Sequence, residues 1–221
     1  MKLVKPSYQI LSEIDGNKIL SSIEIAGRTC YKSEDKITEN SSKKFIEMLL
    51  KRGHESVIEH QSLSIKFICD RGVSHEIVRH RLCSYSQEST RYCNYSKNKF
   101  DNQLTFIIPE WLNIFPEGEY VKMYELEKYD SQECFWFNHM LWSERTYNRL
   151  SKMGWQPQQA RSVLPNSLKT EIAVTANLRQ WREIFRQRTA IVAHPQMREL
   201  MCPLLDELKE KLPVIFDDIT H

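Results

Sequence analysis

Apolar residues recur along this chain with two different periods, and each change of period marks an element. Leu63, Ile65, Phe67 and Cys69 alternate with Ser62, Ser64 and Lys66, the pattern of a strand with one buried face. Thr170, Ile172, Val174 and Ala176 repeat that alternation. Residues 3–11 and Thr105 to Ile108 are further strand candidates, the second ended by Pro109. Elsewhere the spacing is helical. Ser21 to Cys30 reads as one helix. A second runs from Ser41, as its cap, to about Lys51, with Phe45, Met48 and Leu49 on one face and Gly53 as the stop. Val73, Ile77 and Val78 define a short helix ending near Arg79 and His80. Glu119 to Met153 is aromatic and free of Pro and Gly, so it reads as one or two long helices closed by Gly154, with Trp136 and Trp142 in the core. Pro157 opens a short helix holding Ala160 and Arg161, cut by Pro165. Arg179 to Arg188 is a basic helix whose Arg182 and Arg186 are expected on a solvated face, and Pro195 starts a last helix ending at Pro213. Without repeats or low-complexity linkers, the pattern predicts the α+β class. The expectation is a single domain over residues 1–221, a mainly antiparallel sheet packed with helices, one of them long and aromatic.

Charge sharpens the picture by its distribution. The net charge of +2 is too small to argue for nucleic acid by itself. Between Arg161 and Arg198, however, seven Lys and Arg face two acids, Glu171 and Glu183, which points to an anionic ligand. From Glu199 to the end six acids stand against Lys209 and Lys211, and this stretch reads as a solvated helix and its exit. Six scattered cysteines without a Cys-x-x-Cys pair indicate reduced thiols rather than a disulfide framework or a zinc knuckle. The N-terminus has no apolar signal core, and no apolar run approaches membrane-spanning length. A soluble, cytoplasmic protein is expected.

The densest chemistry lies at Arg79-His80-Arg81-Leu82-Cys83-Ser84-Tyr85-Ser86-Gln87-Glu88-Ser89-Thr90-Arg91. The Ser84 to Thr90 run has no apolar period and reads as a loop. Guanidinium forks at a helix-to-loop junction suit phosphate or carboxylate; a solvated basic turn is the plainer alternative. Zinc-helix spacing is missed twice, at His75-Glu76 with His80 and at His54-Glu55 with His60, so no metal is expected. The six glycines stand singly, which leaves no Rossmann turn or P-loop, and side chains must hold any dinucleotide phosphate. Cys83, beside His80 and Arg81, is either a nucleophile of lowered pKa or a small half-buried thiol.

Arg79-His80-Arg81 followed by Ser89 and Arg91-Tyr92 resembles the signature of the flavin-dependent thymidylate synthases. Gly53-His54-Glu55-Ser56 with Glu59-His60, Ala160-Arg161-Ser162-Val163-Leu164-Pro165, and Asn177-Leu178-Arg179 with Arg188 resemble the same family in the same order, over roughly residues 20–200. The resemblance implies a homotetramer with active sites shared between chains. It also implies reductive methylation of dUMP to dTMP, with methylenetetrahydrofolate as one-carbon donor and FAD, reduced by NADPH, as hydride source.

Carried over residue by residue, it implies FAD contacts from Ser56, Glu59, Arg79, His80, Arg81, Gln87, Asn177 and Arg179. Glu183 stands where some relatives have asparagine against the FAD. Glu76, Arg79, Gln87, Ser89, Arg91, Arg161 and Arg188 are implied around dUMP, with Glu88 and Thr90 contributing backbone amides. Gln87 replaces a glutamate of other members, keeping hydrogen bonding and losing charge. His54 is implied near the flavin ring, where folate or NADPH enters, and Ser89 as a ligand rather than a nucleophile. A Pro-Cys-His context for a thiol nucleophile is absent; the resemblance implies electrostatic activation instead, by an arginine that favours the ionised pyrimidine, the role expected of Arg188. Two other classes compete: a nucleic-acid module stacking bases on Trp181 within the basic block, and a metal-dependent hydrolase built on the histidines. Neither a membrane nor a nucleic acid is an expected partner.

Overall fold

Two nine-residue strands, each with one apolar face, are the longest strands of the protein among the described residues, seen here in a computed structural model that describes residues 1–112, 115–122 and 131–221. In chain order the elements are β1 (Lys2–Val4), β2 (Ser7–Ile10), α1 (Gly16–Thr29), α2 (Ser41–Lys51), β3 (Ser62–Asp70), α3 (Arg71–Ile77) and β4 (Ser84–Gln87). There follow β5 (Thr105–Ile107), β6 (Gly118–Glu119), α4 (Gln132–Lys152), α5 (Pro157–Ala160), β7 (Lys169–Asn177), α6 (Leu178–Arg188) and α7 (Pro195–Lys211). The class is α+β, as the periodicity predicts. One sheet has the order β2-β3-β7-β4 and the other β5-β1-β6. Gln61 O accepts from Leu178 N, and Ser64 Oγ meets Thr175 Oγ1 at 2.7 Å, so β3 and β7 are antiparallel. Their alternating apolar positions are all buried, as expected of strands with one face in a core.

The chain divides into two compact units. The first comprises Met1–Ser7, Phe67–Arg79 and Ser86–Ile172; the second comprises Tyr8–Lys66, His80–Tyr85 and Ala173–His221. In the first, β1 pairs parallel with β5 and antiparallel with β6. Its core gathers Leu3, Phe106, Phe137, Met140 and Tyr147, with Phe137 ringed by Phe115 at 4.8 Å and Tyr120 at 5.1 Å. In the second, Trp181 stacks on Phe185 at 5.8 Å, and Phe185 meets Phe216 edge-on at 5.5 Å. Such aromatic pairs add to the stabilisation from burial itself.

Several boundaries depart from the sequence reading for local reasons. The strand expected over residues 3–11 is split at Lys5-Pro6, because proline cannot donate to a ladder. Helix α1 begins at Gly16, where Asp15 Oδ1 accepts from Lys18 N at 3.0 Å as an N-cap. Ser41 does not cap α2: Asn40 holds that position, while the Ser41 hydroxyl accepts from Thr38 N and donates to Glu24. Gly53 and Gly154 do close α2 and α4, at φ +74° and +98°, backbone that side chains rarely adopt. Helix α4 starts at Gln132 under a Ser131 cap; residues 123–130 of the expected helical run lie outside the described residues. Trp142 is 59% exposed and not core, whereas Trp136 is half-buried. The acidic C-terminal stretch is not simply solvated: α7 buries Met197, Leu200, Met201, Leu204, Leu205 and Leu208, and beyond it Ile215, Phe216 and Ile219 are buried too.

Candidate functional site

In the second unit, a short 3-10 turn over Glu55–His60 faces α6. Helix α6 is N-capped by Asn177, whose Oδ1 accepts from Gln180 N at 2.8 Å. The spacing of Arg179, Arg182, Glu183 and Arg186 sets these side chains along one side of the helix. Between turn and helix lies a pocket of about 700 Å³ lined by Glu55, Glu59, Leu82, Asn177, Arg179, Gln180, Glu183 and Arg186. Cofactor sites usually have about 300–1,000 Å³.

The pocket's ion pairs differ in strength. Arg179 Nη1 lies 2.6 Å from Glu59 Oε1, but both side chains are about half exposed, at 52% and 42%. Such surface pairs contribute at most about 1 kcal/mol and yield to a stronger anion. Arg182 is different. It is 1% exposed, donates to Glu55 and to both oxygens of Asp218 at 2.6 and 2.7 Å, and also donates to Ile215 O. Arg186 adds a 2.9 Å bond to Glu55 Oε1. Burial opposes ionisation of Glu55, yet the Arg186 bond and the charges of Arg182 and Arg186 outweigh it and hold this carboxyl below its usual range. The expectation of a solvated Arg182 is therefore overturned. A guanidinium with this many partners is sealed under the C-terminal segment, while the exposed Arg186 is engaged with Glu55 rather than free. The residues fit a flavin dinucleotide: Arg179 near the N-terminal turn of α6 for phosphate, Asn177, Gln180, Glu59 and Glu183 for polar edges, and exposed Leu82 for a ring face.

His80, 7% exposed, belongs to the same unit. Its Nε2 accepts from Arg188 Nε at 2.9 Å, and its carbonyl accepts from Tyr85 OH at 2.6 Å. A ring that accepts from a guanidinium is neutral, with its proton on Nδ1. Burial, then the Arg188 charge, push His80 below the usual histidine pKa, against the opposing pull of Glu183. Ser56 and Arg81 are exposed, as is His54, which precedes the turn.

The first unit holds the second cluster. Ser84–Gln87 is strand, not loop; small polar residues hide the β signal of this four-residue edge strand, β4. Gln87 Nε2 donates to Ser74 Oγ at 2.9 Å and Thr170 Oγ1 at 3.2 Å. After it, the Ser89 carbonyl accepts from Tyr92 N and Cys93 N, and its Oγ accepts from Arg91 N at 3.3 Å, forming a tight turn. Buried Thr90 Oγ1 accepts from Arg161 Nη1 at 3.4 Å. Arg91 and Arg161 are exposed around these hydroxyls, a donor set suited to phosphate. Glu76, on α3, is half-buried; its carbonyl accepts from the amide of exposed Arg79.

Three sequence readings fall here. Burial raises the Cys83 thiol pKa, against a Tyr85 hydrogen bond, so an activated thiolate is not supported. Trp181 is fully buried and donates to Leu63 O, which removes it as a base-stacking platform. The Glu88 side chain turns to Lys169 and Tyr95, and its amide, expected to face the substrate, already donates to Glu171 O at 2.8 Å. Residues missed by sequence are those that support the named ones: Ser74, Thr170, Lys169 and Tyr95 in one unit, Gln180, Arg182 and Asp218 in the other. Only Glu55 carried a signal, from its place in the Gly53-His54-Glu55-Ser56 run. Among the described residues, no helix is long and apolar enough to cross a membrane, and no three His, Cys, Asp or Glu side chains cluster as a metal ion requires.

The sequence pattern of the Thy1 family, described as thymidylate synthase complementing protein, matches residues 14–214. A flavin-dependent thymidylate synthase of Corynebacterium aurimucosum is 32% identical over 204 residues, covering 89% of this chain and 78% of that protein. A relative of the same name from Mycobacterium avium is 30% identical over 234 residues, covering 98% and 85%. Another, from Pyrococcus horikoshii, is 33% identical over 185 residues, covering 82% and 70%. The matched span takes in both clusters, and the chain belongs to the Thy1 family, the flavin-dependent thymidylate synthases.

Proposed function

We propose that the protein converts dUMP to dTMP. Methylenetetrahydrofolate donates the carbon unit, NADPH donates the hydride by way of FAD, and the products are dTMP, tetrahydrofolate and NADP⁺. Membership of the family makes it an enzyme of the thymidylate synthase type. The observation that carries the finer reading is the arginine-lined pocket on α6, in a chain without a glycine loop. Bound there, FAD would supply a hydride to complete the methyl group. Ser56, Glu59, Asn177, Arg179 and Glu183, with Arg79, His80, Arg81 and Gln87, are the residues that would hold it. Arg179 exchanges the exposed Glu59 for phosphate. His54 stands exposed for the folate or NADPH.

For dUMP, Arg91 and Arg161 supply charge, Ser89 and Thr90 supply hydroxyls and amides, and Glu76, Arg79 and Gln87 complete the set. Ser89 Oγ accepts from Arg91 N, and among the described residues no histidine or carboxylate is bonded to it that would serve as its base, which supports the ligand role. Arg188 favours the ionised pyrimidine electrostatically. Its Nε is held by neutral His80 in a half-buried setting, where a guanidinium charge acts more strongly than in water. The activity belongs to a cytoplasmic homotetramer with shared sites. Purified protein supplied with FAD is expected to oxidise NADPH faster when dUMP is present, and to form dTMP with methylenetetrahydrofolate. Failure to bind any flavin at saturating FAD would refute the reading.

A further inference from the structure

In the first unit, Glu88 immediately precedes the turn formed by Ser89, Thr90 and Arg91, and it is held at four points. Its amide donates to Glu171 O at 2.8 Å, and its carbonyl accepts from Arg71 Nη1 at 3.4 Å. Its Oε1 accepts from Tyr95 OH at 2.9 Å, and its Oε2 from Lys169 Nζ at 3.1 Å. The two carboxylate contacts are well shielded: the Glu88 and Lys169 side chains are 13% and 20% exposed, and Tyr95 is 6% exposed. Tyr95 is anchored in turn by the rings of Phe100 at 5.1 Å and Tyr147 at 5.9 Å. Lys169 also lies 2.6 Å from Glu171 Oε1. Burial works against its charge, but the bonds to Glu171 and Glu88 prevail and raise its pKa, so the ammonium is retained.

Gln87 and Glu88 therefore grip different partners. Gln87 is tied to Ser74 and Thr170, Glu88 to Lys169 and Tyr95. Beside the Glu88 contacts lies a cavity of about 180 Å³ lined by Glu88, Tyr95 and Lys169 with Lys2, Lys99 and Phe100. A turn released from Lys169 has room to relax into that space. Charge-assisted bonds are the stronger class of hydrogen bond, and a recognition loop ordered in advance does not have to be ordered at the expense of binding.

We propose that Lys169 and Tyr95 are positioning residues for substrate, acting through the Glu88 carboxylate to fix the Ser89-Thr90-Arg91 turn before dUMP arrives. This rests on the reading of that turn as part of the dUMP site. Neither residue touches the substrate; both set the geometry of residues that do.

The test uses full-length protein loaded with FAD. Dissociation constants for dUMP, bound flavin and melting temperature are measured on wild type, Lys169→Met, Lys169→Arg, Tyr95→Phe and Glu88→Gln. Lys169→Met is expected to weaken dUMP binding about tenfold, the loss typical of one charge-assisted bond, with flavin content unchanged. Lys169→Arg keeps a cation within reach of Glu88 and should return to within about threefold of wild type. Adding Glu88→Gln to Lys169→Met should cost little more, because both cut the same contact. The proposal is overturned if Lys169→Met binds dUMP within twofold of wild type, if the arginine variant is no better than the methionine one, or if affinity falls only in step with flavin loss. Should Lys169→Met fail to fold, Tyr95→Phe and Glu88→Gln decide, each expected to weaken dUMP binding threefold or more at wild-type flavin content. Wild type that binds FAD but not dUMP would instead overturn the dUMP assignment, and the positioning role with it.

Discussion

Replacing His80 with leucine should loosen dUMP beyond whatever flavin it costs, when affinity is compared on flavin-replete protein. The replacement removes the acceptor that meets Arg188 Nε at 2.9 Å. A hydrogen bond to a charged group contributes about 1.5–3 kcal/mol, and the lower end applies here because Arg188 is only half-buried and water can take the vacated place. About 1.5 kcal/mol is slightly more than tenfold in affinity. His80→Gln carries a carbonyl that can reach the same guanidinium and should recover to within about threefold. Lowering pH reproduces the leucine variant reversibly: a protonated His80 cannot accept and sets two cations side by side. Because burial, and then Arg188, hold the His80 pKa below its ordinary value near 6.5, wild type should keep full dUMP affinity through neutral pH and lose it only on the acid side. The sign for stability is the same. The unfolded chain takes up this proton before the folded one, so the contribution is complete above about pH 6.5. It diminishes as pH falls from there toward the lower folded value. Both substitutions should abolish that dependence. Equilibrium dUMP titrations from pH 5 to 8, with flavin content measured on the same samples, provide the assay. Tight dUMP binding by flavin-replete His80→Leu, or a glutamine variant no better than leucine, would refute the role of the acceptor.

Arg182→Met should destabilise the fold by about 3 kcal/mol, the low end for deleting one partner of a buried ionic group, since Asp218 is 58% exposed and can rehydrate. Asp218 is held below the usual carboxylate range by its Arg182 hydrogen bond and Glu55 by Arg186 and Arg182 despite its burial, so wild type loses this stabilisation as pH drops below about 4.5. Urea midpoints at pH 7 and pH 4 should converge in the variant, and parallel profiles would count against the network. Cys83→Ala should leave dTMP formation within about tenfold, or about 1.4 kcal/mol of barrier, because burial keeps this thiol protonated; a loss of several orders of magnitude with FAD still bound would demand a covalent thiol.

Local order decided β3 and β7 and the helix stops at Gly53 and Gly154, and these were legible because alternation and a left-handed glycine involve only near neighbours. The family motifs were legible for a similar reason: their chemistry is concentrated in short runs such as Arg79 to Arg91. Strand β4 was not, since two serines offer no apolar period and the partner that makes it a strand is β7. Arg182 and Arg186 look alike in sequence, four apart on one helix, yet one is sealed and the other exposed. What separates them is the carbonyl of Ile215 and the closer, two-oxygen hold of Asp218 on Arg182, against 3.6 Å to Arg186, both groups brought back over the helix by the buried Phe216. Lys169 likewise carries no motif; only the folded chain sets it against Glu88. Hydrophobic spacing is a property of one segment, whereas burying a charge requires partners that desolvate and satisfy it. Those partners come from distant segments that only tertiary packing brings together.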